Sequence, residues 1–328
     1  MQEFQNIIGN DMVKKHLISA VEYNKVSHSY IIDGEDGMGK MQMAHAFSRL
    51  LLCEGTRKLD CDCRSCKQII SGNHPDIIYV SHEKPNTIGV DDVREQLIED
   101  IQIKPYRSNH KIYILDEAEK LTVQAQNALL KTIEEPPGYG VIFLLTTNSA
   151  GFLQTILSRC VLLTMKPLSD EQIVEALKER TELPAERIET IAKFARGNLG
   201  KALKFAASED FNRTVEQILN LMKYVRTMGL DEMLSAIREL KEEEFEVEEC
   251  LDFIQMWYRD VLLFKATNDV NLLIFPNEFR TISEQASRSD FNGIETIIQA
   301  IDTARRRLNA NVNYELAMEL LLLTIKEN

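Results

Sequence analysis

One stretch of the chain constrains its fold more than any other: an apolar strand, a glycine-rich loop and a helix in direct succession. Residues 29–33 read SYIID, residues 34–41 read GEDGMGKM, and residues 41–53 have the spacing of a helix. This is the context of the phosphate-binding pattern G-x-x-x-x-G-K-[ST]. Gly34, Gly39 and Lys40 meet the pattern, and the stretch therefore predicts a nucleotide-binding α/β domain.

Met41 breaks the pattern at its last position. A working loop has a Ser or Thr there, whose hydroxyl binds Mg²⁺ beside the nucleotide. A thioether is a weak acceptor and a poor ligand for a hard cation. The loop alone leaves two interpretations open, an ATPase with one unusual residue or a protein that kept the ATPase shape without its chemistry.

Further strands and helices alternate along the first half of the chain. Helical spacing over 11–24 places Val13, Leu17, Ala20 and Val21 on one face. Strands are predicted at 76–81, 111–115, 141–147 and 161–164, with helices at 90–101 and 123–135 between them. Such alternation is typical of a parallel sheet flanked by helices.

The pattern becomes purely helical after residue 165. Ser169 and Gln172 form a capping box before a helix over 170–180. A second helix follows Pro184, with Ile188, Ile191, Ala192 and Ala195 inward, and Gly197 is expected to end it. Helical spacing then covers 211–229, 230–244, 247–266 and 313–327. We therefore predict an α/β domain over 1–165, a small helical lid domain over 166–208 and an all-α collar domain over 209–328.

Charge and hydropathy narrow the class of protein. The 328 residues carry a net charge of −13, and residues 241–250 read KEEEFEVEEC. This balance argues against a protein that grips nucleic acid alone over a broad basic face, and we interpret the acidic stretch as a solvated helix face. Apolar runs are too short for a membrane span, and the first residues lack a signal-peptide pattern. A cytoplasmic protein is expected.

Two acids follow the strand over 111–115. A carboxylate at the carboxyl end of such a strand faces the crevice where open α/β sheets bind ligands. In a phosphate-loop ATPase, Asp116 would hold Mg²⁺ and Glu117 would orient the attacking water. The alternative interpretation is an acidic turn after a strand.

Four of the six cysteines lie within residues 53–66. Cys63 and Cys66 have the C-x-x-C spacing of a tetrahedral zinc site, and Cys53 and Cys61 can complete a closed thiolate set. Zinc would fold an insert that is too polar to form its own core. Redox-active or merely free thiols are the alternatives. Cys160 and Cys250 lie in apolar surroundings and are interpreted as core residues.

Several of these stretches together resemble one family. They are FQNIIGNDMVKKHL (4–17), VSHSYIIDGEDGMGK (26–40), the four-cysteine insert, AQNALLKTIEEPP (125–137) and TILSRC (155–160). They look like the bacterial clamp-loader subunits of DNA polymerase III, AAA+ proteins that include the gamma/tau ATPase and the delta-prime subunit. The resemblance covers at least residues 4–205, and the helices after 210 fit by architecture alone.

The resemblance implies roles for individual residues. It assigns the nucleotide site, in a degenerate form, to Gly34, Gly37, Gly39, Lys40, Asp116 and Glu117. It implies that Thr147 or Asn148 is the polar sensor after the fourth strand. Without the resemblance, Arg159 would be interpreted as a surface residue. It matches, however, the arginine of the family's Ser-Arg-Cys motif. That arginine reaches into the ATP site of the next subunit, as an arginine finger acting in trans.

The sequence departs from the family at three places. Met41 replaces the Mg²⁺ ligand. In GNLGKAL (197–203), Gly200 stands where the ATPases carry a sensor arginine, and Lys201 is expected to point about 100° away on a helix. The cysteines read C-x₇-C-x-C-x₂-C rather than ending in C-x-x-C-x-x-C, which makes Cys61 the least secure ligand.

Phosphoryl transfer needs a metal ligand, a lysine, acids and a sensor cation together. Two of these parts are missing here, whereas the residue that would serve a neighbour is retained. The sequence therefore favours a delta-prime-like subunit without ATPase activity, with structural Zn²⁺. Its implied partners are the gamma/tau and delta subunits and, through the complex, the sliding clamp and primed DNA.

Two alternatives remain open. A competent gamma/tau-like ATPase would need water or backbone in place of the Met41 contact. A helicase-type AAA+ motor is disfavoured by the cysteine insert and the acidic balance, and self-assembly into a hexamer would test it. Whether nucleotide binds without being hydrolysed is not decided by the sequence.

Overall fold

The computed structural model describes residues 4, 7–55, 61–208, 211–242 and 247–328. Part of the predicted zinc insert (56–60) and part of the acidic stretch (243–246) lie outside the described residues. The chain divides into two compact units, Met1–Leu203 and Lys204–Asn328. The three-domain division with boundaries at 165 and 208 stays a prediction.

Five parallel strands form one sheet in the described part of the first unit. They are β1 Ser29–Asp33, β2 Ile77–Val80, β3 Lys111–Leu115, β4 Gly140–Thr146 and β5 Val161–Thr164. The strand order is β2-β3-β4-β1-β5, and Asp33 pairs with both Thr146 and Thr164. Because every pairing is parallel, the loops after β1, β3 and β4 meet at one edge. The predicted AAA+-type α/β class is confirmed.

Helices flank this sheet and follow it in sequence. Their bounds are α1 Asp11–Glu22, α2 Lys40–Leu52, α3 Arg64–Ile70, α4 Val90–Val93, α5 Val123–Glu134, α6 Gln154–Leu157, α7 Asp170–Arg180, α8 Ala185–Ala195 and α9 Leu199–Ala207. The sheet is buried on both faces, because successive side chains of a strand point to opposite sides. On β1, Tyr30 and Ile32 enter the core on one face, and Ile31 enters the core on the other.

The segment over 90–101, predicted as one helix, contains three kinds of helical turn. Four residues of α4 are followed by a π-helix over Arg94–Glu99 and a 3₁₀ turn over Asp100–Gln102. Val93, Leu97 and Ile101 are all fully buried. In a regular α-helix, residues four apart are displaced by about 40° around the axis. The wider π turn reduces this displacement, so that these three residues stay on one face. The segment is helical, as predicted, but it is not a single regular α-helix.

The helical pair after the sheet follows its predicted caps. Ser169 and Gln172 form the capping box at the start of α7. The predicted inward residues of α8 are buried. The helix ends over two residues rather than at Gly197 alone, since Arg196 (φ 50°) and Gly197 (φ 79°) are both left-handed. A Cβ on Gly197 would lie 2.4 Å from the carbonyl oxygen of Leu168.

The described residues of the second unit are helical and contain no strand. The helices are α10 Phe211–Tyr224, α11 Leu230–Glu242, α12 Val247–Thr267, α13 Phe279–Arg288, α14 Phe291–Asn309 and α15 Tyr314–Glu327. Four of them match predicted segments, and α13 and α14 are additional. None of the helices described in either unit is long and apolar enough to span a membrane.

Candidate nucleotide site and metal centre

The phosphate loop, residues Gly34–Met41, connects β1 to α2 at the carboxyl edge of the sheet. Its turn depends on two glycines in the left-handed region, Gly37 at φ 84° and Gly39 at φ 91°. Gly39 is the N-cap of α2, so the backbone N–H groups of the first helical turn face the loop. This is the shape of an anion-binding loop.

Lys40 is turned back onto its own loop. Its side chain is almost fully buried, and Nζ donates to Gly34 O at 2.7 Å and to Asp36 Oδ1 at 2.9 Å. Burial of an ammonium group requires such partners. The lysine that a nucleotide's phosphates would engage is therefore satisfied by the protein itself.

The loop is also in direct contact with the lid motif, residues 197–203. The Gly200 N–H donates to Gly37 O at 3.0 Å, and Asn198 Nδ2 donates to Asp36 O at 2.6 Å. A Cβ on Gly200 would lie 2.5 Å from Gly37 Cα and 2.7 Å from Gly37 O. No larger residue fits at position 200 while the two segments are in this contact.

Lys201 reaches the loop from the same motif. Its Nζ lies 3.9 Å from Glu35 Oε2, and its backbone N–H donates to Asn198 Oδ1. Lys201 therefore reaches the loop even though about 100° around the helix separates its direction from that of Gly200. The long lysine side chain spans the offset that its position on the helix imposes.

A small cavity lies beside the loop. Its volume is about 130 Å³, and its lining includes Ile7 and Ile8, Gly37 and Gly39 of the loop, Lys166, Arg180 and residues of the lid motif. Ligand pockets typically measure about 300–1,000 Å³. The cavity is smaller than a nucleotide site in this conformation.

The side chain of Met41 contributes to hydrophobic packing. Its half-buried side chain packs against the same hydrophobic core as Tyr30, Met43 and Phe47. Its replacement of a hydroxyl residue therefore adds apolar packing where a metal ligand would stand.

The two acids after β3 differ in their contacts. Asp116 is exposed, and its Oδ1 accepts from the Glu117 N–H at 3.0 Å. Glu117 is left-handed (φ 51°). Its Oε1 lies 2.6 Å from Lys120 Nζ, and its Oε2 lies 3.2 Å from His82 Nε2. The hydrogen bond and charge of Lys120 hold the pKa of Glu117 below its usual value. Glu117 is thus engaged by two basic side chains.

The two sensor candidates use their side chains locally. Thr147 donates from Oγ1 to Glu119 Oε1 at 3.1 Å. Asn148 Oδ1 accepts from the Ala150 N–H and caps a 3₁₀ turn. Which of the two acts as a sensor stays a prediction.

Arg159 lies between α6 and β5, with 39% of its side chain exposed. Nε lies 2.9 Å from Glu134 Oε1. Nη1 donates to Thr155 O at 3.0 Å and to Ser158 Oγ at 3.2 Å. The guanidinium is held along one side and remains accessible, which suits a group that reaches another molecule.

The four predicted metal ligands come together. The sulfurs of Cys53, Cys61, Cys63 and Cys66 all lie within 4.8 Å of one another. A tetrahedral site with bonds of about 2.3 Å places its sulfurs about 3.8 Å apart, so the cluster fits such an ion with little movement. Cys61, the least secure ligand by spacing, belongs to the group.

Hydrogen bonds favour the thiolate at one member of this cluster. Cys63 is the N-cap of α3, and its Sγ accepts from the Cys66 N–H at 3.4 Å. Burial raises the pKa of Cys63. The hydrogen bond from Cys66 and those from other neighbouring groups outweigh this effect and lower the pKa to about 7. Burial raises the pKa of Cys66. A bound cation would favour thiolate at both positions.

A buried polar network ties the cysteine cluster to the sheet, and no sequence pattern indicated it. Ser65 Oγ donates to Leu52 O at 2.7 Å and lies 2.9 Å from His74 Nε2. The carboxylate of Asp76 is fully buried and accepts from the backbone N–H groups of 106–108. Arg107 of that loop pairs with Glu54, the residue after Cys53, at 2.6 Å. The insert is thereby anchored at several points.

Comparison with known proteins gives consistent matches. The family model described as "DNA polymerase III, delta subunit" matches residues 9–169, and that described as "DNA polymerase III, delta subunit, C terminal" matches 216–327. DNA polymerase III subunit delta' of Bacillus subtilis is 29% identical over 96% of this chain and 95% of its own length. Subunit tau of the same organism is 28% identical over 87% of this chain, which spans 55% of tau.

A solved structure also matches over most of its length. The gamma subunit-related protein of Thermotoga maritima is 20% identical and covers 95% of this chain, which covers 98% of that protein; the TM-score is 0.48.

Proposed function

Because the chain belongs to the family of DNA polymerase III clamp-loader subunits, we propose that it acts as a delta-prime-type subunit. In this proposal it does not hydrolyse ATP itself. It supplies Arg159 to the ATP site of a neighbouring gamma/tau subunit and helps load the sliding clamp on primed DNA. Its place of action is the cytoplasm, at the replicating chromosome.

The contact between Gly37 and Gly200 is the observation that carries the proposal. It joins the phosphate loop to the lid motif through backbone atoms. A sensor arginine at position 200 is incompatible with this contact. Together with Met41, which packs against the core, it accounts for the loss of two parts that phosphoryl transfer requires.

The engagement of the remaining polar groups supports the same proposal. Lys40 is satisfied by the loop, and Glu117 by Lys120 and His82. Nucleotide binding would have to break both the loop–lid contact and the Lys40 contacts. Arg159 is held by Glu134, Thr155 and Ser158, and 39% of its side chain remains exposed to another molecule.

The structural metal is part of the proposal. Four thiolates in a closed set select Zn²⁺ or a similar soft ion and leave no open position for catalysis. Zinc at Cys53, Cys61, Cys63 and Cys66 would stabilise the insert and, through Glu54 and Arg107, the loop that the insert contacts.

One alternative retains specific support. Lys40, Asp116 and Glu117 are present, and the loops that carry them meet at one edge of the sheet, so a gamma/tau-like ATPase remains a candidate. Measuring ATP binding and turnover by the isolated chain separates the two. The delta-prime-type subunit shows no turnover, whereas the gamma/tau-like ATPase does.

Reconstitution tests the proposed function. The chain is mixed with gamma/tau and delta subunits, and ATP hydrolysis stimulated by clamp and primed DNA is measured together with clamp loading. Both activities should depend on this chain. If gamma/tau and delta load clamps equally well without it, the proposal is wrong.

A further inference from the structure

Arg159 is contacted on part of its guanidinium only. Nε contacts the carboxylate of Glu134, and Nη1 donates hydrogen bonds to Thr155 O and Ser158 Oγ. Nη2 has no hydrogen-bond partner within the described residues. Its two N–H groups are therefore available to an incoming acceptor.

Glu134 is the last residue of α5, and Arg159 follows α6. Two different helices therefore fix the guanidinium: the carboxylate holds Nε from α5, and the carbonyl of Thr155 holds Nη1 from α6. Glu134 is itself about half exposed, so this ion pair adds little to the stability of the fold. Its main effect is on where the arginine points.

We propose that Glu134 is a positioning residue for Arg159. It fixes the guanidinium with Nη2 directed outward, so that the two free donors meet phosphate oxygens of the neighbouring subunit. This inference rests on the proposed function in trans. An arginine held before docking loses less rotamer freedom when it engages a phosphate, and its planar group requires a defined orientation.

The test uses the assembled complex. The gamma/tau subunits in this complex carry a replacement of the arginine in their own Ser-Arg-Cys motif. The ATP site that faces this chain then accounts for most of the ATP hydrolysis that is measured. Into this complex we would introduce Glu134→Ala, Glu134→Gln and the control Glu135→Ala, which alters the next exposed residue of the same acidic pair. The readouts are kcat and KM for ATP with clamp and primed DNA present.

Loss of positioning should lower kcat and leave KM unchanged. A half-exposed ion pair favours one side-chain arrangement only modestly, so Glu134→Ala should lower kcat about two- to five-fold. Glu134→Gln keeps an acceptor and should restore part of the loss. Glu135→Ala should match the unaltered chain.

A double variant distinguishes the two claims. If Glu134 acts through Arg159, then Glu134→Ala should have no further effect in an Arg159→Ala chain. An equal loss in both backgrounds, no loss, or a gain in kcat from Glu134→Ala overturns the positioning role. If Arg159→Ala itself leaves kcat unchanged, the role in trans fails, and the positioning claim fails with it.

Discussion

Gly37 and Gly200 are 163 positions apart in sequence, yet the N–H of Gly200 donates to the carbonyl of Gly37 at 3.0 Å. Neither residue has a Cβ, and the backbones approach so closely that one on Gly200 would lie 2.5 Å from Gly37 Cα. The phosphate loop and the lid motif thus fit each other where an ATPase would place phosphate and an arginine.

Gly200→Ala should destabilise the protein. The added methyl group meets backbone, which cannot rotate away as a side chain can, and such overpacking costs about 1–3 kcal/mol. Thermal or denaturant unfolding measures the loss. Gly138→Ala is the matched control, because nothing lies within 4 Å of its Cβ position. Equal stability of the two variants would contradict the tight contact.

The isolated chain should not hydrolyse ATP, and Met41→Thr should not create turnover. A single hydroxyl restores one ligand but leaves position 200 without a cation and the loop in contact with the lid motif. A steady-state phosphate-release assay, with a gamma/tau subunit as positive control, measures this. Turnover by the unaltered chain comparable to that control would refute the assignment.

Purified protein should contain about one zinc per chain. Cys66→Ser should lose most of it and unfold at lower temperature, because a metal held by these cysteines would link α3 to the end of α2. Cys160→Ala, outside the cluster, should keep its zinc. Metal analysis and thiol titration check both variants. Four freely titratable thiols in protein prepared without chelators would rule the site out.

Glu117 should titrate below its usual pKa of 4.5, mainly because of Lys120. A lowered pKa means that the pair stabilises the fold above about pH 4.5 and that this contribution disappears as pH falls through the folded-state pKa. Glu117 is about half exposed, so the contribution is below about 1 kcal/mol. An NMR titration should show the pKa rising in Lys120→Ala and unchanged in Lys104→Ala. If Glu117 has the same pKa in both variants, Lys120 is not the cause of its lowered pKa.

Local patterns predicted most elements well. The bounds of β1 and β5 agree with the structure, since short β-branched and aromatic runs between turn residues signal buried strands. The box at Ser169 and Gln172 marked the start of α7 for the same local reason. Helix α14, which was not predicted, also has a local signal: Asp290 is its N-cap, and Ile294, Ile297 and Ile301 follow at helical spacing.

Contacts between distant segments could not be predicted in this way. Nothing in the sequence pairs Gly37 with Gly200, because a glycine on each segment permits a close approach without requiring it. The approach of Lys201 to Glu35 was not predicted either, since helical angle alone ignores the reach of a lysine side chain. His82 as a partner of Glu117, and Glu134 as a partner of Arg159, come from other elements and become visible only when the sheet and helices are assembled.

Replacing Arg159 in the assembled complex tests the central claim most directly. Arginine fingers contribute about 10³–10⁵ in rate in GTPases, and this one should complete a single ATP site of several. Arg159→Ala should leave folding and assembly intact, reduce clamp- and DNA-stimulated ATP hydrolysis by about the share of one site, and impair clamp loading more strongly. A complex carrying Arg159→Ala that hydrolyses ATP and loads clamps at the unaltered rates would contradict the account.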